Sequence, residues 1–459
     1  MSSSRRTRSG RAYYEFSKEL EEAQVVKVPP SCPPLEQLLQ QALEREPVDD
    51  PLEAFDDEPQ AIPPQPSTSV LGASFDSKKR KLSSSEATAP RPNRHRHEKR
   101  RKTRDANFKA EGHLYSHNTA AIQSCSVMSA SKNVADLPAA MGGFIGRDLV
   151  HSSQKARDVD WYRSQPDWNY VKWDGSHALV VVDEEDRIFL AGLKKVKDPE
   201  FDQHMDDVAL LLEDTRTTKL VIKRQDTSHL RGEGFVAAAT GWSMGQGQQK
   251  VTHTAGKHEF VMQQLIEQPC MKRLASAQDA GFACWSYKNY RLYKESMDEL
   301  KSTIADFKPN FERSNFACIT CNFGPQVCTS CHNDAKNCPH SMCAITAVGV
   351  FDPMKGGHLV LPDLKIILEF PSGCTILLPS AILRHQNTPV QPGETRYSVT
   401  QYSAGGIFRF QEYGNRTEEQ LRHQDPSLYE KVMSERKGRW RKMADMFVTL
   451  DEVREFHCN

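Results

Sequence analysis

The stretch between residues 316 and 410 is divided into short β-type runs by residues that favour turns. Asp352-Pro353, Pro371-Ser372-Gly373 and Gln391-Pro392-Gly393 are three of these turn signals. Many short strands joined by Gly/Pro turns are typical of a barrel or a two-sheet jelly roll. The predicted strands lie at residues 317–322, 343–350, 359–361, 366–370, 375–378, 397–402 and 407–410.

Hairpin and helical patterns precede this stretch. Two apolar runs at residues 178–182 and 188–191 flank an acidic turn and predict a β-hairpin. Apolar residues at helical spacing predict helices over residues 201–213, 257–271 and 287–307, and residues 241–247 form a Gly-rich loop. These helices would support the sheet, so the predicted fold class is α+β.

The first 155 residues have the composition of a disordered segment. Proline pairs interrupt any regular element, and an acidic block at residues 49–58 is followed by basic runs at 78–81 and 94–102. Such runs are typical of nuclear localisation signals or nucleic-acid-binding arms, although a solvated charge run is the alternative. All six tryptophans lie at or after Trp161. We therefore expect a nuclear protein with a disordered segment at residues 1–155 and a folded domain at 156–459 that becomes ordered near Trp161.

The sequence has no apolar run that approaches the length of a transmembrane helix. It begins with a polar Met-Ser-Ser-Ser-Arg-Arg segment that lacks the apolar core of a signal peptide. We expect an intracellular protein with no membrane partner, in which the twelve cysteines are free thiols or metal ligands rather than disulfides.

His332, Asp334 and His385 form a candidate set of metal ligands. Two imidazoles and one carboxylate hold mononuclear non-haem Fe(II) and leave positions open for a co-substrate and dioxygen. His332 and Asp334 would share one face of a strand, because they are two residues apart. Arg396 and Ser398 follow in an Arg-x-Ser motif, and an arginine fork binds a carboxylate through two hydrogen bonds. This order suits an enzyme that uses 2-oxoglutarate, whose 2-oxo acid end chelates Fe(II) and whose far carboxylate needs a cation.

Cysteines around this candidate site allow two other interpretations. Cys318-x2-Cys321 and Cys328-x2-Cys331 are pairs of the kind that bind structural zinc, which we keep as an alternative. The gap between the pairs is short for a zinc ribbon, and in a strand Cys318 and Cys321 would face opposite sides. The segment from Cys328 to His332 also fits the CxxCH pattern of covalent haem. In the iron interpretation, the cysteines are mostly small buried hydrophobes.

Seven segments between residues 322 and 398 form a characteristic series. They are Asn322-Phe323-Gly324-Pro325, His332-Asn333-Asp334, Cys343-Ala344-Ile345-Thr346-Ala347, Gly356-Gly357-His358-Leu359-Val360-Leu361, Ile376-Leu377-Leu378-Pro379-Ser380-Ala381, Arg384-His385 and Gln391-Pro392-Gly393-Glu394-Thr395-Arg396-Tyr397-Ser398. The series resembles the fungal branch of the TET/JBP dioxygenases, the Fe(II)/2-oxoglutarate enzymes that oxidise methyl groups on nucleobases. The resemblance extends over residues 161–447 and is strongest over 316–410.

The resemblance implies a double-stranded β-helix, or jelly roll, with its core at residues 316–410 and helices around it. It implies that His332, Asp334 and His385 hold the iron and that Arg396, assisted by Ser398, binds the far carboxylate of 2-oxoglutarate. It also implies double-stranded DNA as the partner, with the methylated base flipped out, because a base inside a duplex cannot reach the iron. The basic run at residues 436–442 and the loop at 241–250 are candidates for holding phosphates, with ordinary solvated surface as the alternative.

The resemblance further implies that Asn337 lies near the co-substrate and the flipped base. The stretch at residues 338–343 departs from the apolar and aromatic-rich pattern of relatives, so the base pocket is expected to differ. His358 is predicted to be structural, because a third histidine on the metal would close the position that dioxygen needs. His340 is the other histidine expected near the site.

Two alternatives to a DNA base dioxygenase stay open at the level of the sequence. One is a 2-oxoglutarate oxygenase that acts on RNA or protein, and the other is a non-enzymatic zinc module that binds nucleic acid. Within the preferred interpretation, 5-methylcytosine and N6-methyladenine are both candidate bases.

Overall fold

The computed structural model describes residues 5–6, 12–13, 116–140, 142–149, 157–229, 231–245, 247–254 and 256–458. The chain divides into two compact units, Met1–Glu53 and Ala54–Asn459. In the first unit, strand β1 (Arg5–Arg6) pairs antiparallel with β2 (Ala12–Tyr13). The acidic block and both basic runs of the sequence analysis lie outside the described residues, so the predictions that rest on them stay predictions.

The second unit contains the helices and the larger sheets. Its helices are α1 (Ser116–Gln123), α2 (Val159–Ser164), α3 (Pro199–Asp214), α4 (Glu259–Ile266), α5 (Pro269–Trp285), α6 (Tyr287–Thr303), α7 (Gly405–Glu412), α8 (Glu418–Gln424), α9 (Pro426–Ala444) and α10 (Leu450–Cys458). Its strands are β3 (Ser126–Ser129), β4 (Asn169–Val171), β5 (Leu179–Val182), β6 (Ile188–Gly192), β7 (Ser228–His229), β8 (Gly232–Glu233), β9 (Val236–Ser243), β10 (Thr252–Thr254), β11 (Cys318–Phe323), β12 (Cys343–Val348), β13 (Leu359–Leu361), β14 (Ile366–Leu368), β15 (Thr375–Leu378), β16 (Gln386–Asn387) and β17 (Tyr397–Tyr402). None of the helices in the described ranges combines the length and the apolar character needed to cross a bilayer.

Two sheets form the core of this unit. The larger sheet has nine strands in the order β10-β9-β11-β17-β12-β15-β6-β5-β3, and the smaller has four in the order β16-β13-β14-β4. Apolar side chains of both sheets, such as Ala344 and Leu377 from the larger and Leu361 and Leu368 from the smaller, join one buried cluster. A helical layer that includes α5 and α6 packs against the larger sheet. The predicted α+β class with a jelly-roll core and flanking helices is confirmed.

Most of the strand predictions are confirmed within two residues at each end, and one of them is wrong. Residues 407–410 were predicted as a strand, but they lie inside α7. A short apolar run does not distinguish a strand from a helix by itself. The helix begins at Gly405 and Gly406, where a side chain would collide with the carbonyl oxygens of Phe144 and Met244, respectively.

The helix that was predicted over residues 257–271 is in fact two helices. α4 ends at Ile266 and α5 begins at Pro269, with Glu267 and Gln268 between them. Proline has no N–H for the helical hydrogen bond and disfavours a helical residue before it, but it is well suited to the first turn of a helix. The predicted helices at 201–213 and 287–307 and the hairpin at 178–191 are confirmed as α3, α6 and the antiparallel pair of β5 and β6.

The predicted start of the folded domain near Trp161 is too late. Residues 116–149 contain α1 and β3, and β3 is the parallel edge partner of β5 in the nine-stranded sheet. Ile122, Val134 and Phe144 from this segment are buried in the main apolar cluster. The segment escaped the sequence analysis because its apolar residues are isolated among polar ones and form no periodic run.

Gln278 of α5 connects this helix to the centre of the larger sheet. Its side-chain amide donates to the carbonyl oxygens of Ala344 (3.1 Å) and Val399 (3.2 Å) and to the Thr346 hydroxyl (2.9 Å). Its oxygen accepts from Gln401 Nε2 at 2.8 Å, and the residue is completely buried. The amide thus holds β12 and β17, the strands next to the site described below, at a fixed distance from the helix.

We expect Gln278→Leu to lower the free energy of unfolding by about 2–4 kcal/mol, because buried polar partners lose their hydrogen bonds. Urea unfolding followed by circular dichroism measures this loss. Gln203→Leu on the exposed face of α3, where the amide bonds only to Asp207, is the matched control and should change the value by less than about 0.5 kcal/mol. Equal effects of the two substitutions would contradict the assigned role of Gln278.

Candidate active site

His332 and His385 face each other across a two-residue antiparallel bridge. The His332 N–H donates to the His385 carbonyl (3.1 Å), and the His385 N–H donates to the His332 carbonyl (2.9 Å). Asp334, two residues after His332, donates its own N–H to the Ser380 carbonyl at 2.8 Å. Two segments that are distant in sequence are therefore held side by side by backbone hydrogen bonds, and their side chains meet as a consequence of the fold.

The orientation of each imidazole is set by a backbone carbonyl. Nδ1 of His332 lies 2.8 Å from the Ser330 oxygen, and Nδ1 of His385 lies 3.1 Å from the Leu383 oxygen. A carbonyl can only accept, so both Nδ1 atoms carry the proton and both Nε2 atoms present a lone pair. These Nε2 atoms lie 4.0 Å and 3.9 Å from the two Asp334 carboxylate oxygens. A ring nitrogen that donates to a carbonyl while the other faces a metal is the usual arrangement of a histidine ligand.

Burial and charge keep these groups in the protonation states that a metal requires. Burial, with help from His385 and Arg231, holds the pKa of His332 well below its usual range. Burial raises the pKa of Asp334, but Arg231 and the two histidines outweigh it, so the pKa lies below its ordinary value. Near neutral pH the His332 imidazole is therefore neutral and the Asp334 carboxylate is ionised, which are the forms that bind a metal.

The donor set fits Fe(II). One ligand atom from each of His332, Asp334 and His385 lies within 4.8 Å of the others, and no other group of three such residues comes together in the described part of the chain. Two nitrogens and one oxygen leave further positions on an octahedral ion for the two oxygens of a 2-oxo acid and for dioxygen. The predicted pair of Fe(II) and 2-oxoglutarate is thus compatible with the residues present.

The cysteines do not assemble a zinc site within the described residues. Cys318 and Cys321 both lie in β11 but belong to two different apolar clusters, as expected for opposite faces of a strand. Cys328 donates to the Asn387 carbonyl at 3.3 Å, and the ten cysteines that the structure describes are free thiols. They act here as small buried hydrophobes or weak donors.

We expect the metal content of the purified protein to be unchanged by Cys328→Ser, because the trio does not use this thiol. Elemental analysis of the wild type and the variant, each prepared under identical conditions, measures it. Zinc that is present in the wild type and lost with Cys328→Ser would contradict this assignment and favour the zinc module.

Arg396 is a buried cation in the same cavity as the trio. The cavity measures about 60 Å³, enough for several water molecules. Arg396 is only 3% exposed, and the one hydrogen bond of its guanidinium in the described structure is a long one of 3.4 Å from Nη1 to the Val327 carbonyl. Its Nε–H has no acceptor among the described residues, and burial lowers the pKa of the guanidinium to about 10. A buried guanidinium without an anion is unfavourable unless a ligand supplies one.

The cavity wall beside Arg396 is polar because side chains of β11 and β17 point alternately into the cavity and away from it. Side chains that line the cavity come from every second residue, and the intervening Cys321, Tyr397 and Val399 belong to the apolar cluster behind the sheet. The cavity-facing members are Thr320, Asn322, Arg396, Ser398, Thr400 and Tyr402. Asn322 and Ser398 are directly paired across the strands, and Asn322 Nδ2 donates to Ser398 Oγ at 2.8 Å.

The other predicted site residues occupy two different positions. Asn337 lines the cavity and donates through Nδ2 to Ser380 Oγ at 3.0 Å. His358 lies outside the metal trio, where its ring nitrogens are 3.3 Å from the Tyr170 hydroxyl and 3.2 Å from the Thr388 hydroxyl. Its predicted structural role agrees with this placement.

The atypical stretch at residues 338–343 does not line the cavity. His340 is buried between Cys338 Sγ (3.1 Å) and the Asn289 side-chain oxygen (3.0 Å), against helix α6. Burial lowers the pKa of His340 to about 4, so the ring is neutral near neutral pH. The side chains of this stretch support the helix rather than line the described cavity, and the expectation of a different base pocket stays a prediction.

Arg231 is a site residue that the sequence analysis missed. It lies in the turn between β7 and β8, lines the cavity and places Nε 3.6 Å from Asp334 Oδ1. Its carbonyl accepts from the Ser330 N–H at 2.8 Å, next to the carbonyl that orients His332. No motif marks an isolated arginine so far from the ligands in sequence, whereas the alternation of polar residues in the two predicted strands could have revealed Asn322, Thr320 and Tyr402.

The two predicted phosphate-binding segments expose only part of their residues to a ligand. Arg439 is buried, pairs with Glu412 and lies over the ring of Phe144. Gly241 belongs to strand β9 with its neighbours, so the Gly-rich loop begins later than predicted. Within the predicted basic run at residues 436–442, the exposed basic residues are Lys437, Arg441 and Lys442.

Among known proteins, this chain shows only distant similarity to solved structures. No family model matches the chain, and no curated protein matches it. A solved structure described as NgTET1 in complex with 5mC DNA shares 12% identity over 54% of this chain and 86% of that chain, with a TM-score of 0.37. A viral collagen prolyl hydroxylase from Paramecium bursaria Chlorella virus-1, in a 2OG complex, shares 19% identity over 24% of this chain and 69% of that chain, with a TM-score of 0.16.

A 2OG-Fe(II) oxygenase family protein from Burkholderia pseudomallei shares 15% identity over 36% of this chain and 67% of that chain, with a TM-score of 0.21. All three proteins are 2-oxoglutarate oxygenases or TET proteins by description. Identities and TM-scores at this level assign neither a family nor a substrate, so the function must be derived from the site itself.

Proposed function

We propose that this chain is an Fe(II)- and 2-oxoglutarate-dependent dioxygenase of the TET/JBP kind that oxidises methyl groups on DNA bases. One observation carries the proposal: the cavity of the metal trio also contains Arg396, which is buried and has no anion among the described residues. A metal trio alone would fit several chemistries. A buried cation in the same cavity adds the requirement for a ligand that combines a metal-chelating end with a distant carboxylate.

Each group then has one part in the reaction. His332, Asp334 and His385 hold the metal, while Arg396 and Ser398 bind the far carboxylate of 2-oxoglutarate. Bound iron supplies the activation of dioxygen, which is coupled to decarboxylation of the co-substrate to succinate and CO2 and to hydroxylation of a methyl group. The walls of the cavity limit the access of bulk water to the reacting groups, since His332, His385 and Arg396 are buried and Asp334 is only partly exposed.

DNA as the substrate rests on the seven-segment resemblance between residues 322 and 398. A duplex base must leave the stack to reach a buried metal, which makes Asn337 and Tyr402 on the cavity wall candidates for contacting it. Exposed Lys437, Arg441 and Lys442 are candidates for contacting phosphates. A nuclear location is proposed from the basic runs at residues 78–81 and 94–102.

Purified protein incubated with Fe(II), ascorbate and 2-oxoglutarate on duplex DNA tests this function. The DNA carries 5-methylcytosine in one reaction and N6-methyladenine in the other, and the nucleosides are measured by mass spectrometry. We expect an oxidised base from one of them and its disappearance with His332→Ala. Succinate formed without any DNA product would redirect the search to RNA or protein substrates, and an absence of succinate from folded, iron-loaded protein would contradict the oxygenase itself.

A further inference from the structure

Asn322 is a second buried polar residue at the Arg396 end of the cavity whose bonding is incomplete. It is 6% exposed, and its Oδ1 has no partner among the described residues. Its Nδ2 donates to Ser398 Oγ at 2.8 Å, across the β11–β17 pair. A buried amide oxygen without a hydrogen-bond donor is energetically unfavourable. This part of the cavity wall is therefore suited to a ligand whose binding completes its hydrogen bonds.

The bond between the two side chains determines what Ser398 can do. A hydroxyl has one proton to donate and accepts through its oxygen. Because Asn322 donates into Ser398 Oγ, the Ser398 proton is left for another acceptor, and no acceptor for it is recorded among the described residues. Ser398 and Arg396 are two residues apart and share the cavity-facing side of the chain.

We propose that Asn322 is a positioning residue for the co-substrate, which turns the Ser398 hydroxyl into a fixed donor to the far carboxylate beside Arg396. This inference rests on the proposed function and adds to it a residue that acts through Ser398. Arg396 provides the positive charge that attracts the carboxylate. The Asn322–Ser398 pair provides a hydroxyl donor with a fixed orientation.

Binding of 2-oxoglutarate to the Fe(II)-loaded full-length protein without oxygen, measured by calorimetric titration, tests the proposal without turnover. Asn322→Leu keeps the size but loses the donor, and we expect an affinity weaker on the order of tenfold. Asn322→Asp keeps the shape, draws the Ser398 proton towards itself and adds a negative charge, so we expect a loss on the order of 100-fold.

A double-variant comparison separates positioning from direct contact. If Asn322 acts through Ser398, the Asn322→Leu/Ser398→Ala protein binds no more weakly than Ser398→Ala alone. Losses that add would mean that Asn322 contacts the ligand itself, which would overturn the proposed role. Cys321→Ala, on the opposite face of the same strand, is the control for a general loosening of β11 and should leave the affinity unchanged.

The result for the wild type keeps this proposal distinct from the proposed function. Iron-loaded wild-type protein that does not bind 2-oxoglutarate would refute the function itself, whatever the variants show. Wild-type binding with all Asn322 variants within twofold of it would refute only the role of Asn322. Thermal unfolding of each variant confirms folding, and Asn322→Asp, which preserves the shape of the side chain, serves if the leucine variant does not fold.

Discussion

Asp334→Ala is expected to lower the affinity for Fe(II) by more than about 100-fold, because even the loss of a partner of a metal ligand costs 10–100-fold. Asp334 is the only carboxylate of the trio, and both histidine Nε2 atoms point towards it. Without it, no anionic ligand remains in the trio, and the positive side chain of Arg231, whose Nε lies 3.6 Å from the Asp334 Oδ1 that is removed, is left without its partner. Equilibrium dialysis against Fe(II) under nitrogen, with iron measured by elemental analysis, gives the affinity.

His358→Ala is the matched control for that variant. This variant also removes a buried histidine from the predicted β-rich core at residues 316–410. The side-chain hydrogen bonds that it breaks are those to the Tyr170 and Thr388 hydroxyls. We expect it to reduce stability and to retain one iron per chain. If both variants kept iron equally well, the trio would not be the metal site.

Arg396→Met is expected to have two effects of opposite sign. In the presence of 2-oxoglutarate, loss of a buried charge partner costs about 2–5 kcal/mol, so binding should weaken at least about 30-fold. In its absence, replacing an unpaired buried cation by an apolar side chain should stabilise the fold by about 1–3 kcal/mol. The reason is that Arg396 has no anion and its Nε has no acceptor in the described structure.

Thermal unfolding with and without 2-oxoglutarate measures both effects in one experiment. The variant should unfold at a higher temperature than the wild type without ligand, and ligand should no longer raise that temperature. Arg216→Met, at an arginine whose guanidinium is paired with Glu213, is the control and should retain the ligand-dependent shift. A variant that is destabilised without ligand would show that Arg396 is a structural cation rather than a binding group.

The sequence allowed the fold class and the metal trio to be predicted because both depend on local patterns. Turn residues at short intervals determined the strand boundaries, and the His-x-Asp motif with a later histidine reflects ligands on adjacent strand ends. Arg396 and Ser398 were predicted for the same reason, since an Arg-x-Ser motif on a strand presents both side chains to one face. The structure brings all five residues to one cavity.

The parts that were missed depend on contacts between distant segments. Arg231 reaches Asp334 from a turn that is remote in sequence, and Asn322 is notable only because it is paired with Ser398 across two strands. The error at residues 407–410 arose because a short apolar run does not distinguish a strand from a helix, and the close contact of Gly405 with Phe144 at the start of this helix leaves no local pattern. Residues 116–149 join the core through isolated apolar side chains, so their composition resembles that of the segment before them.

The most direct test of the account is an anaerobic titration of the Fe(II)-loaded protein with 2-oxoglutarate, followed by the visible absorption that a 2-oxo acid produces when it binds Fe(II). We predict a band that saturates at one 2-oxoglutarate per iron, is absent with His385→Ala, and requires much higher ligand concentrations with Arg396→Met. Folded protein that contains one iron per chain and develops no band with 2-oxoglutarate would contradict the assignment of this cavity as a 2-oxoglutarate oxygenase site.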